Sequence, residues 1–304
     1  MKVLVIVGPT GVGKSDLSLE IAKKYNGEII SGDSIQIYKE LNIGSAKVTE
    51  SEMAEVKHYL VDEYPLTENY DVTIFQERAR ALIEDISKRG KLPIIVGGTG
   101  LYISAVLKNY IFLEEEKDEE LEAYLASRSN EELYAELLSL DEASAKALHV
   151  NNRIRLIRAL TIAKSQDVLK SDIVKKQDET LLYDAHIISL TMDRELLYKR
   201  IDERVLKMDE LGLEQELQAI VDKYDNPFEL RGMFGIGYKE WKPYFEGVCS
   251  KDEVLKDIQK RSRNYAKRQF TWFNNQFDAE WFDVLEDGFK EKLFKSISDW
   301  KEKE

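Results

Sequence analysis

Residues 1–15 of the chain read MKVLVIVGPTGVGKS. Residues 3–7 are apolar and mostly β-branched, a pattern typical of a strand buried on both faces of a parallel sheet. Residues 8–15 match the phosphate-loop pattern G-x-x-x-x-G-K-[ST] at every fixed position. Apolar residues continue at helical spacing after Ser15. The motif therefore has the preceding strand and the following helix that this kind of phosphate site requires.

The residues of this loop are suited to binding a di- or triphosphate. Its glycines lack Cβ atoms, so backbone N–H groups can point at phosphate oxygens, and the helix N-terminus adds the positive end of its dipole. Lys14 supplies a point charge for the outer phosphate, and Ser15 supplies a hydroxyl for Mg²⁺. The predicted phosphate-binding residues are Gly8, Pro9, Thr10, Gly11, Val12, Gly13, Lys14 and Ser15. The loop alone identifies neither the ligand nor the reaction.

Composition narrows the class of protein. The 304 residues are 43% hydrophobic, enough for one large domain or a core domain carrying a smaller one. Cys249 is the only cysteine, which excludes an intrachain disulfide and a cysteine-based zinc site. The first strand begins within two residues of Met1 and no apolar run approaches membrane-spanning length. We therefore expect a soluble, cytoplasmic protein without a membrane partner.

The first part of the chain alternates strand and helix patterns. Residues 27–34 are predicted to form a short strand that runs into a polar turn. Further strands are predicted at residues 59–61 and 93–96, and an amphipathic helix at residues 73–88. This alternation predicts an α/β fold, a doubly wound parallel sheet that contains the phosphate loop.

A change of character in the middle of the chain predicts an insertion. Residues 114–122 hold seven acidic residues and one lysine, and helix-forming sequence without clear strands follows to about residue 182. Residues 184–192 restore strand character, and the rest of the chain is predicted to be largely helical. We expect a core of residues 1–112 and 183–304, interrupted by a helical insertion domain at residues 113–182.

Two candidate site residues follow predicted strands. The carboxyl ends of parallel strands line the ligand crevice, so Asp33 is expected beside the phosphate loop. Its carboxylate could be a Mg²⁺ ligand or a general base, or could simply form an Asx turn. Residues 97–100 read GGTG and expose Thr99 at the same edge, either for function or in a tight turn. No acidic residue ends this strand, which disfavours ordinary ATP hydrolysis.

Basic residues are concentrated in two stretches of an otherwise acidic chain. The net charge is −13, which taken alone argues against a polyanionic partner. Residues 143–166 and 258–277 nevertheless contain no acidic residue and several lysines and arginines. Lys260, Arg263 and Lys267 fall on one face of a predicted helix, which suits a phosphate backbone or a diphosphate. Tyr265 and Trp272 are predicted to pack into the core.

Seven stretches, taken in order, carry a resemblance to a known family. They are GPTGVGKS at 8–15, ISGDSIQIY at 30–38, NIGSAK at 42–47, VGGTGLY at 96–102, RIRLIRAL at 153–160, GIGYKE at 235–240 and YAKRQFTWF at 265–273. With them the chain closely resembles the tRNA dimethylallyltransferases, also called tRNA isopentenyltransferases. It lacks the cysteine-and-histidine zinc finger of some eukaryotic relatives, so the resemblance is to the bacterial type.

The resemblance implies a prenyl transfer. A dimethylallyl group would pass from dimethylallyl diphosphate to the exocyclic amine of the adenosine just 3′ of a tRNA anticodon. The phosphate loop would hold the diphosphate of the donor with Mg²⁺, Asp33 would accept the amine proton, and Thr99 would hydrogen-bond at the reacting centre. The target base must leave its stack to reach such a pocket.

The resemblance also implies which residues contact the substrates. The tRNA anticodon stem-loop would be contacted by Asp33, Ser34, Ile35, Gln36, Thr99, Ile154, Arg155, Leu156, Ile157, Arg158, Phe234, Gly235, Ile236, Gly237, Tyr238 and Lys239. Arg263, Lys267 and Arg268 would neutralise the diphosphate or the tRNA backbone. The helical insertion would clamp the anticodon stem-loop, and we expect the protein to act as a monomer.

Two departures and two alternatives remain open at this point. The family often has Asn-Asp-Pro before the arginine motif, where this chain has Asn151, Asn152 and Arg153. The acidic run at 114–122 is unusual for a tRNA clamp and is expected to face solvent. The alternatives are an isopentenyltransferase acting on free adenine nucleotides and a phosphate-loop kinase acting on a small molecule. The two basic stretches and the long insertion favour tRNA.

Overall fold

A computed structural model describes residues 1–112, 118–165, 169–177 and 180–303 of the chain. The chain divides into two compact units, one formed by residues 1–107 and 181–304 and the other by residues 108–180. The second unit begins five residues before the predicted start of the insertion, directly after a core helix ends at Leu107. The Leu182 N–H donates to the Leu107 carbonyl at 2.8 Å, where the chain leaves and re-enters the core.

Strands and helices alternate up to this interruption, as predicted. They are β1 (Lys2–Val7), α1 (Lys14–Tyr25), β2 (Gly27–Ser31), α2 (Glu50–Glu55), β3 (His58–Tyr59), α3 (Val72–Lys88), β4 (Leu92–Val96) and α4 (Gly100–Leu107). The Asp71 side chain caps α3 by accepting from two backbone N–H groups. The apolar stripe of α3 is buried, with Phe75, Ala79 and Ile83 fully inside the core.

The described residues of the second unit form helices only. They are α5 (Glu119–Ser127), α6 (Asn130–Leu140), α7 (Glu142–Lys146), α8 (Arg153–Ser165) and α9 (Lys170–Lys176). Leu125, Leu133, Leu137 and Leu156 are fully buried and give this unit its own small core. Of the acidic run, residues 114–117 lie outside the described residues, and the acidic side chains of α5 are exposed as expected.

The chain then returns to the sheet. The remaining strands and α-helices are β5 (Asp184–Thr191), α10 (Arg194–Glu210), α11 (Leu213–Lys223), α12 (Lys242–Phe245), α13 (Lys251–Gln276), β6 (Glu280–Asp283) and α14 (Phe289–Glu302). β6 was not predicted from the sequence, because its four residues include two acids and are too few to be distinguished from a loop.

The six strands form one parallel sheet in the order β3-β2-β4-β1-β5-β6. β1 lies in the middle, and its alternate residues enter two different cores: Val3, Val5 and Val7 on one face, Leu4 and Ile6 on the other. The predicted two-sided burial of β1 in a doubly wound parallel sheet is therefore confirmed. The carboxyl ends of β2, β4 and β1 are neighbours, which brings the segments after them to one edge. None of the described helices combines the length and apolarity needed to cross a membrane.

Candidate active site

The phosphate loop lies between β1 and α1. Gly8 has φ +141°, and a Cβ atom there would lie 2.7 Å from the Leu190 carbonyl oxygen of β5, so only glycine fits where the loop leaves the sheet. The Lys14 ammonium donates to the carbonyl oxygens of Gly8 and Pro9 at 2.9 and 2.8 Å. The lysine is thus held across the loop that precedes it.

The charge of Lys14 depends on its neighbours. Its pKa is lowered to about 7, first by burial and then by the positive charge of Arg204, whereas the Asp33 carboxylate raises it. A phosphate anion bound in the loop would act in the same direction as Asp33 and stabilise the protonated form. Near pH 7 the lysine is therefore only partly protonated in the free protein, and a bound anion would increase its protonated fraction.

Asp33 follows β2, forms the Asx turn that its sequence allowed, and also borders the cavity. Its Oδ1 atom accepts from the backbone N–H groups of Ile35 and Gln36 at 2.8 and 3.3 Å, which forms an Asx turn. The half-buried carboxylate also lines a cavity at the sheet edge. The turn fixes Oδ1, and Oδ2 can serve a ligand without breaking it.

Thr99 belongs to a turn that lies against α13. The Gly98 carbonyl accepts from Gln269 Nε2 at 2.9 Å and from the Tyr265 hydroxyl at 3.3 Å. Gln269 Oε1 in turn accepts from the Thr10 N–H of the phosphate loop at 2.9 Å. One buried glutamine therefore connects the phosphate loop to the turn that carries Thr99.

The side chain of Tyr265 is placed differently from the prediction. It lines the cavity, and its hydroxyl donates to the Gly98 carbonyl, directly before Thr99. Burial, followed by the charge of Asp33, raises the pKa of Tyr265 to about 12. The assignment to the core was wrong because helical spacing alone does not distinguish a core face from a face that borders a cavity. Trp272, in contrast, packs against the core cluster and donates to Ser104.

The cavity encloses about 480 Å³, a size suited to a small ligand. Its lining includes Thr10, Asp33, Ser34, Ile35 and Thr99 from segments at the carboxyl ends of β1, β2 and β4. An apolar part of the wall is formed by Ile201, Val205, Met208 and Ile258 with Tyr38, Tyr70 and Tyr102. The cavity is also lined by Phe234, Gly235, Ile236, Gly237 and Lys239. The cavity thus combines one residue of the phosphate loop, a carboxylate and an apolar wall.

The cavity is cationic although the chain is acidic. Arg204, Arg231, Lys239 and Arg268 line it, whereas Asp33 is the single acidic residue of its lining. No salt bridge within the described part of the chain neutralises any of these four cations. Burial lowers the pKa of Arg204, and the charge of Asp33 opposes this effect. The arrangement favours an anionic ligand.

The other predicted residues of the core unit divide by burial. Phe234 is 58% exposed at the cavity, whereas Tyr238 is fully buried, so its side chain supports the segment instead of contacting a macromolecule. Gln36 does not line the cavity, and its amide donates to the Ser45 and Ala46 carbonyls. Arg263 forms an ion pair with Asp202 of α10. Its role toward a substrate phosphate stays a prediction, and in the free protein its charge is balanced by Asp202.

Lys267 and Arg268 lie in the C-terminal half of α13. Both line a shallow groove along this helix, and Arg268 also reaches the cavity, with its guanidinium over the Tyr265 ring at 5.4 Å. A continuous cationic edge therefore leads from the cavity onto the surface of α13.

In the helical unit, the predicted arginine motif forms the start of α8. Ile154 is 82% exposed and Arg155 and Arg158 are also at the surface, whereas Leu156 is fully buried. The contact expected of the Leu156 side chain is corrected accordingly, because it forms part of this unit's core. Arg153 donates to the carbonyl oxygens of Ala126 and Arg128 at 2.7 Å, closing the C-terminal end of α5.

The donor set for a divalent cation is small. No group of three or more His, Cys, Asp or Glu side chains that could hold a metal exists among the described residues. Ser15 is exposed in the first turn of α1, next to the loop, and Asp33 lines the cavity that Thr10 of the loop also borders. Such a set fits Mg²⁺, which is commonly held by one or two protein oxygens together with substrate phosphates and water.

Comparisons with known proteins agree with this geometry. The sequence model of the family described as IPP transferase matches residues 36–276. The chain is 46% identical to a tRNA dimethylallyltransferase of Bacillus cereus strain G9842 over 289 residues, 94% of this chain and 90% of that protein. It belongs to the tRNA dimethylallyltransferase family. A relative from Macrococcus caseolyticus is 47% identical over 285 residues, 93% of this chain and 91% of that protein.

Solved structures of family members superpose over nearly the whole chain. The tRNA isopentenylpyrophosphate transferase of Bacillus halodurans has a TM-score of 0.75 and 39% identity, covering 98% of this chain and 96% of that one. A eukaryotic dimethylallyltransferase acting on tRNA has a TM-score of 0.85 and 30% identity, covering 97% of this chain and 77% of that one. The prediction of a phosphate-loop α/β fold within this family is confirmed.

Three residues in or beside the cavity were not predicted as site residues from the sequence. Arg204 is one of many charged residues in α10, so the sequence does not distinguish it from its neighbours. Only the packing of α10 places it at the cavity. Gln269 is a neutral residue in a basic stretch. Arg231 directly precedes the glycine-rich segment at 232–237, and this proximity could have suggested it.

Proposed function

We propose that the protein transfers a dimethylallyl group from dimethylallyl diphosphate to the exocyclic amine of the adenosine that follows a tRNA anticodon. One observation carries the proposal. A single cavity combines Thr10 of the phosphate loop, the Asp33 carboxylate, Thr99, four unneutralised cations and an apolar wall. A short apolar group, a diphosphate and an attacking amine together need all of these features. The reaction would take place in the cytoplasm, where tRNA is available.

The phosphate loop and two arginines would bind the diphosphate. Lys14 lies across the loop, and Arg204 and Arg268 line the cavity that Thr10 of the loop borders. As the bond to the prenyl carbon breaks, negative charge grows on the departing diphosphate, and these cations stabilise it more strongly than the ground state. The arginine fork is well suited to phosphate oxygens.

The apolar wall would hold the dimethylallyl group. Ile201, Val205, Met208 and Ile258 offer a surface without charge beside the cationic residues. Burying a five-carbon group there contributes about 0.8 kcal/mol per CH₂-sized unit. It also keeps water from the reacting carbon, which protects the donor from hydrolysis.

Asp33 would accept the proton of the amine. The nitrogen forms a bond to the first carbon of the dimethylallyl group while that carbon's bond to oxygen breaks. The electron pair of the broken bond leaves with the diphosphate, and the amine proton passes to the Asp33 carboxylate. An aromatic amine is a poor nucleophile, so a base held by its own Asx turn is chemically appropriate. Thr99, beside Tyr265, can hydrogen-bond the amine and fix its direction.

The Ser15 hydroxyl is the protein group that we propose to hold Mg²⁺ at the diphosphate. When bound, the ion would neutralise charge on the leaving group. The remaining ligands would come from phosphate oxygens and water, as is usual for this ion.

The RNA would be contacted by exposed residues of both units. In the core these are Ser34, Ile35, the 234–237 segment and Lys239, and on α8 they are Ile154, Arg155 and Arg158. Extruding the target base costs a few kcal/mol, which contacts to the RNA backbone would offset. Phe234, exposed at the cavity, offers a flat surface on which a neighbouring base can stack.

A transfer assay distinguishes this function from its alternatives. The protein is incubated with Mg²⁺, dimethylallyl diphosphate labelled in the prenyl group, and either an unmodified anticodon stem-loop or AMP. We expect label in the stem-loop. Label in AMP with none in RNA would overturn the tRNA proposal and favour an enzyme of free nucleotides. Phosphate transfer from ATP to a small molecule, with no prenyl transfer, would favour a kinase.

A further inference from the structure

A carboxylate outside the cavity connects two segments of the cavity wall. Glu216 of α11 accepts from three successive backbone N–H groups: Asn42 at 3.0 Å, Ile43 at 2.8 Å and Gly44 at 3.4 Å. It also accepts from the Tyr238 hydroxyl at 2.8 Å. Both carboxylate oxygens are used in this arrangement.

Tyr238 extends the same connection. Its hydroxyl accepts from the Ser45 N–H at 3.0 Å while donating to Glu216. The ring is fully buried, and a Cβ on Gly44 would lie 2.7 Å from it, so the 42–45 segment lies directly against the ring. Burial, together with the charge of Glu216, raises the pKa of Tyr238 well above its usual value, so the hydroxyl stays a donor.

The two connected segments form one part of the cavity wall. Gly44 and Ser45 line the cavity from the first segment, and Gly235, Ile236, Gly237 and Lys239 line it from the second. We propose contacts with RNA for the second segment, and the first segment lies next to it. These hydrogen bonds of Glu216 and Tyr238 do not involve the phosphate loop.

We propose that Glu216 and Tyr238 are positioning residues that set the acceptor-binding wall of the cavity. We call the Glu216 carboxylate, the Tyr238 hydroxyl and the amides of residues 42–45 the clasp. The clasp holds the two wall segments at a fixed distance, so its loss weakens binding of the RNA acceptor and spares binding of the diphosphate. This role rests on the proposed function, since it assigns the RNA to this wall.

The chain provides a matched control on the same helix. Glu214 accepts from the Tyr244 hydroxyl at 2.6 Å and pairs with Lys251 at 3.0 Å. None of these three residues lines the cavity. Glu214→Gln and Tyr244→Phe therefore remove a carboxylate of α11 and the tyrosine hydroxyl bonded to it, as Glu216→Gln and Tyr238→Phe do, but away from the cavity wall.

Steady-state kinetics tests the split between the substrates. We expect Glu216→Gln and Tyr238→Phe to raise KM for the anticodon stem-loop about tenfold, the size of effect expected when hydrogen bonds to a charged group are lost. The Kd for inorganic pyrophosphate should stay within about twofold, as for independent sites. The double variant should cost less than the product of the single effects, because both act through one clasp. Equal effects on RNA and pyrophosphate, or effects no larger than those of the Glu214→Gln and Tyr244→Phe controls, would overturn the proposal.

Hydrogen exchange of the free protein gives a readout that does not depend on activity. In Glu216→Gln, the amides of residues 42–44 should exchange about tenfold faster, while the amides of the phosphate loop keep their wild-type rates. Unchanged exchange at residues 42–44 would overturn the clasp. Faster exchange with an unchanged KM for RNA would also overturn it, since the clasp would then be structural only. If the wild-type protein transfers no label to RNA, the proposed function fails, and the exchange rates alone decide whether the clasp exists.

Discussion

At the scale of single residues, Asp33 connects a backbone turn to the cavity. Oδ1 is occupied by the backbone N–H groups of Ile35 and Gln36, and the carboxylate borders the cavity. An asparagine can keep the turn through its own oxygen but cannot accept a proton at neutral pH. The substitution Asp33→Asn therefore separates the turn from the proposed chemistry.

We expect Asp33→Asn to lower kcat by about 10² to 10⁴, the usual contribution of a general base, with little change in thermal stability. Single-turnover transfer to the stem-loop measures the first quantity and calorimetry the second. Asp33→Ala is the comparison, since it should lose the turn as well and unfold at lower temperature. Wild-type turnover in the asparagine variant would remove Asp33 from the role of base.

Lys14 should make pyrophosphate binding depend on pH. Its pKa in the free protein is about 7, and a bound diphosphate raises it. Below pH 7 the lysine is protonated with or without ligand and adds no pH dependence. Above pH 7 the free protein must take up a proton on binding, so affinity should fall by up to about tenfold per pH unit.

Titration calorimetry at pH 8 in two buffers of different ionisation enthalpy measures this proton uptake. Lys14→Met is the control, because it retains the titration of pyrophosphate itself and lacks that of the lysine. Parallel pH profiles for the wild type and Lys14→Met would contradict the assignment.

At the scale of elements, α13 is the helix that connects the parts of the site. Gln269 accepts from Thr10 of the phosphate loop and donates to Gly98 in the turn before Thr99. Gln269→Glu keeps the size and the acceptor but replaces the donor with an oxygen that faces the Gly98 carbonyl. We expect a loss of about 1–3 kcal/mol in the free energy of unfolding, as for a buried polar group left unsatisfied, and weaker pyrophosphate binding.

Denaturant unfolding and pyrophosphate titration test this expectation. Gln259→Glu is the matched control, because Gln259 lies on the same helix and donates to the Asp202 carbonyl at 3.2 Å away from the phosphate loop. If both variants lower stability equally and neither changes pyrophosphate affinity, α13 does not organise the phosphate site.

Elements with strong local patterns could be predicted from the sequence, and weak ones could not. β1 is a continuous apolar run and α3 carries a regular apolar stripe, so each was found within one or two residues of its bounds. β6 is four residues long and becomes a strand only because β5 offers it a free edge. Tyr265 was misassigned for a similar reason, since only the packing of α13 beside the β4 turn places its ring at the cavity.

At the scale of the whole molecule, the charge around the cavity has the opposite sign to the net charge of the chain. The chain has a net charge of −13, yet four cations and one carboxylate line the cavity. Local concentration of positive charge lets an acidic protein bind RNA while avoiding nonspecific binding elsewhere. The sequence indicated the two basic stretches, but not which of their members are neutralised, as Arg263 is by Asp202. That distinction depends on how α10 packs against α13.

Binding of the stem-loop should therefore weaken with salt. We expect Lys239→Gln to lower RNA affinity and to reduce the slope of log K against log salt concentration by about 0.7, the value for one contact with a single-stranded phosphate. Lys295→Gln is the control, because Lys295 pairs with Asp299 on α14 and does not line the cavity. Fluorescence anisotropy over a range of salt concentrations measures both slopes, and equal slopes for the two variants would contradict an RNA contact at Lys239.

The central claim is that a phosphate loop here holds the leaving group of a prenyl donor while one tRNA adenosine attacks. Two anticodon stem-loops test it most directly: one unmodified, and one with the adenosine that follows the anticodon replaced by inosine, which lacks the exocyclic amine. Each is incubated with Mg²⁺ and labelled dimethylallyl diphosphate. We expect label in the first RNA and none in the second. Equal label in both, or none in either, would contradict it.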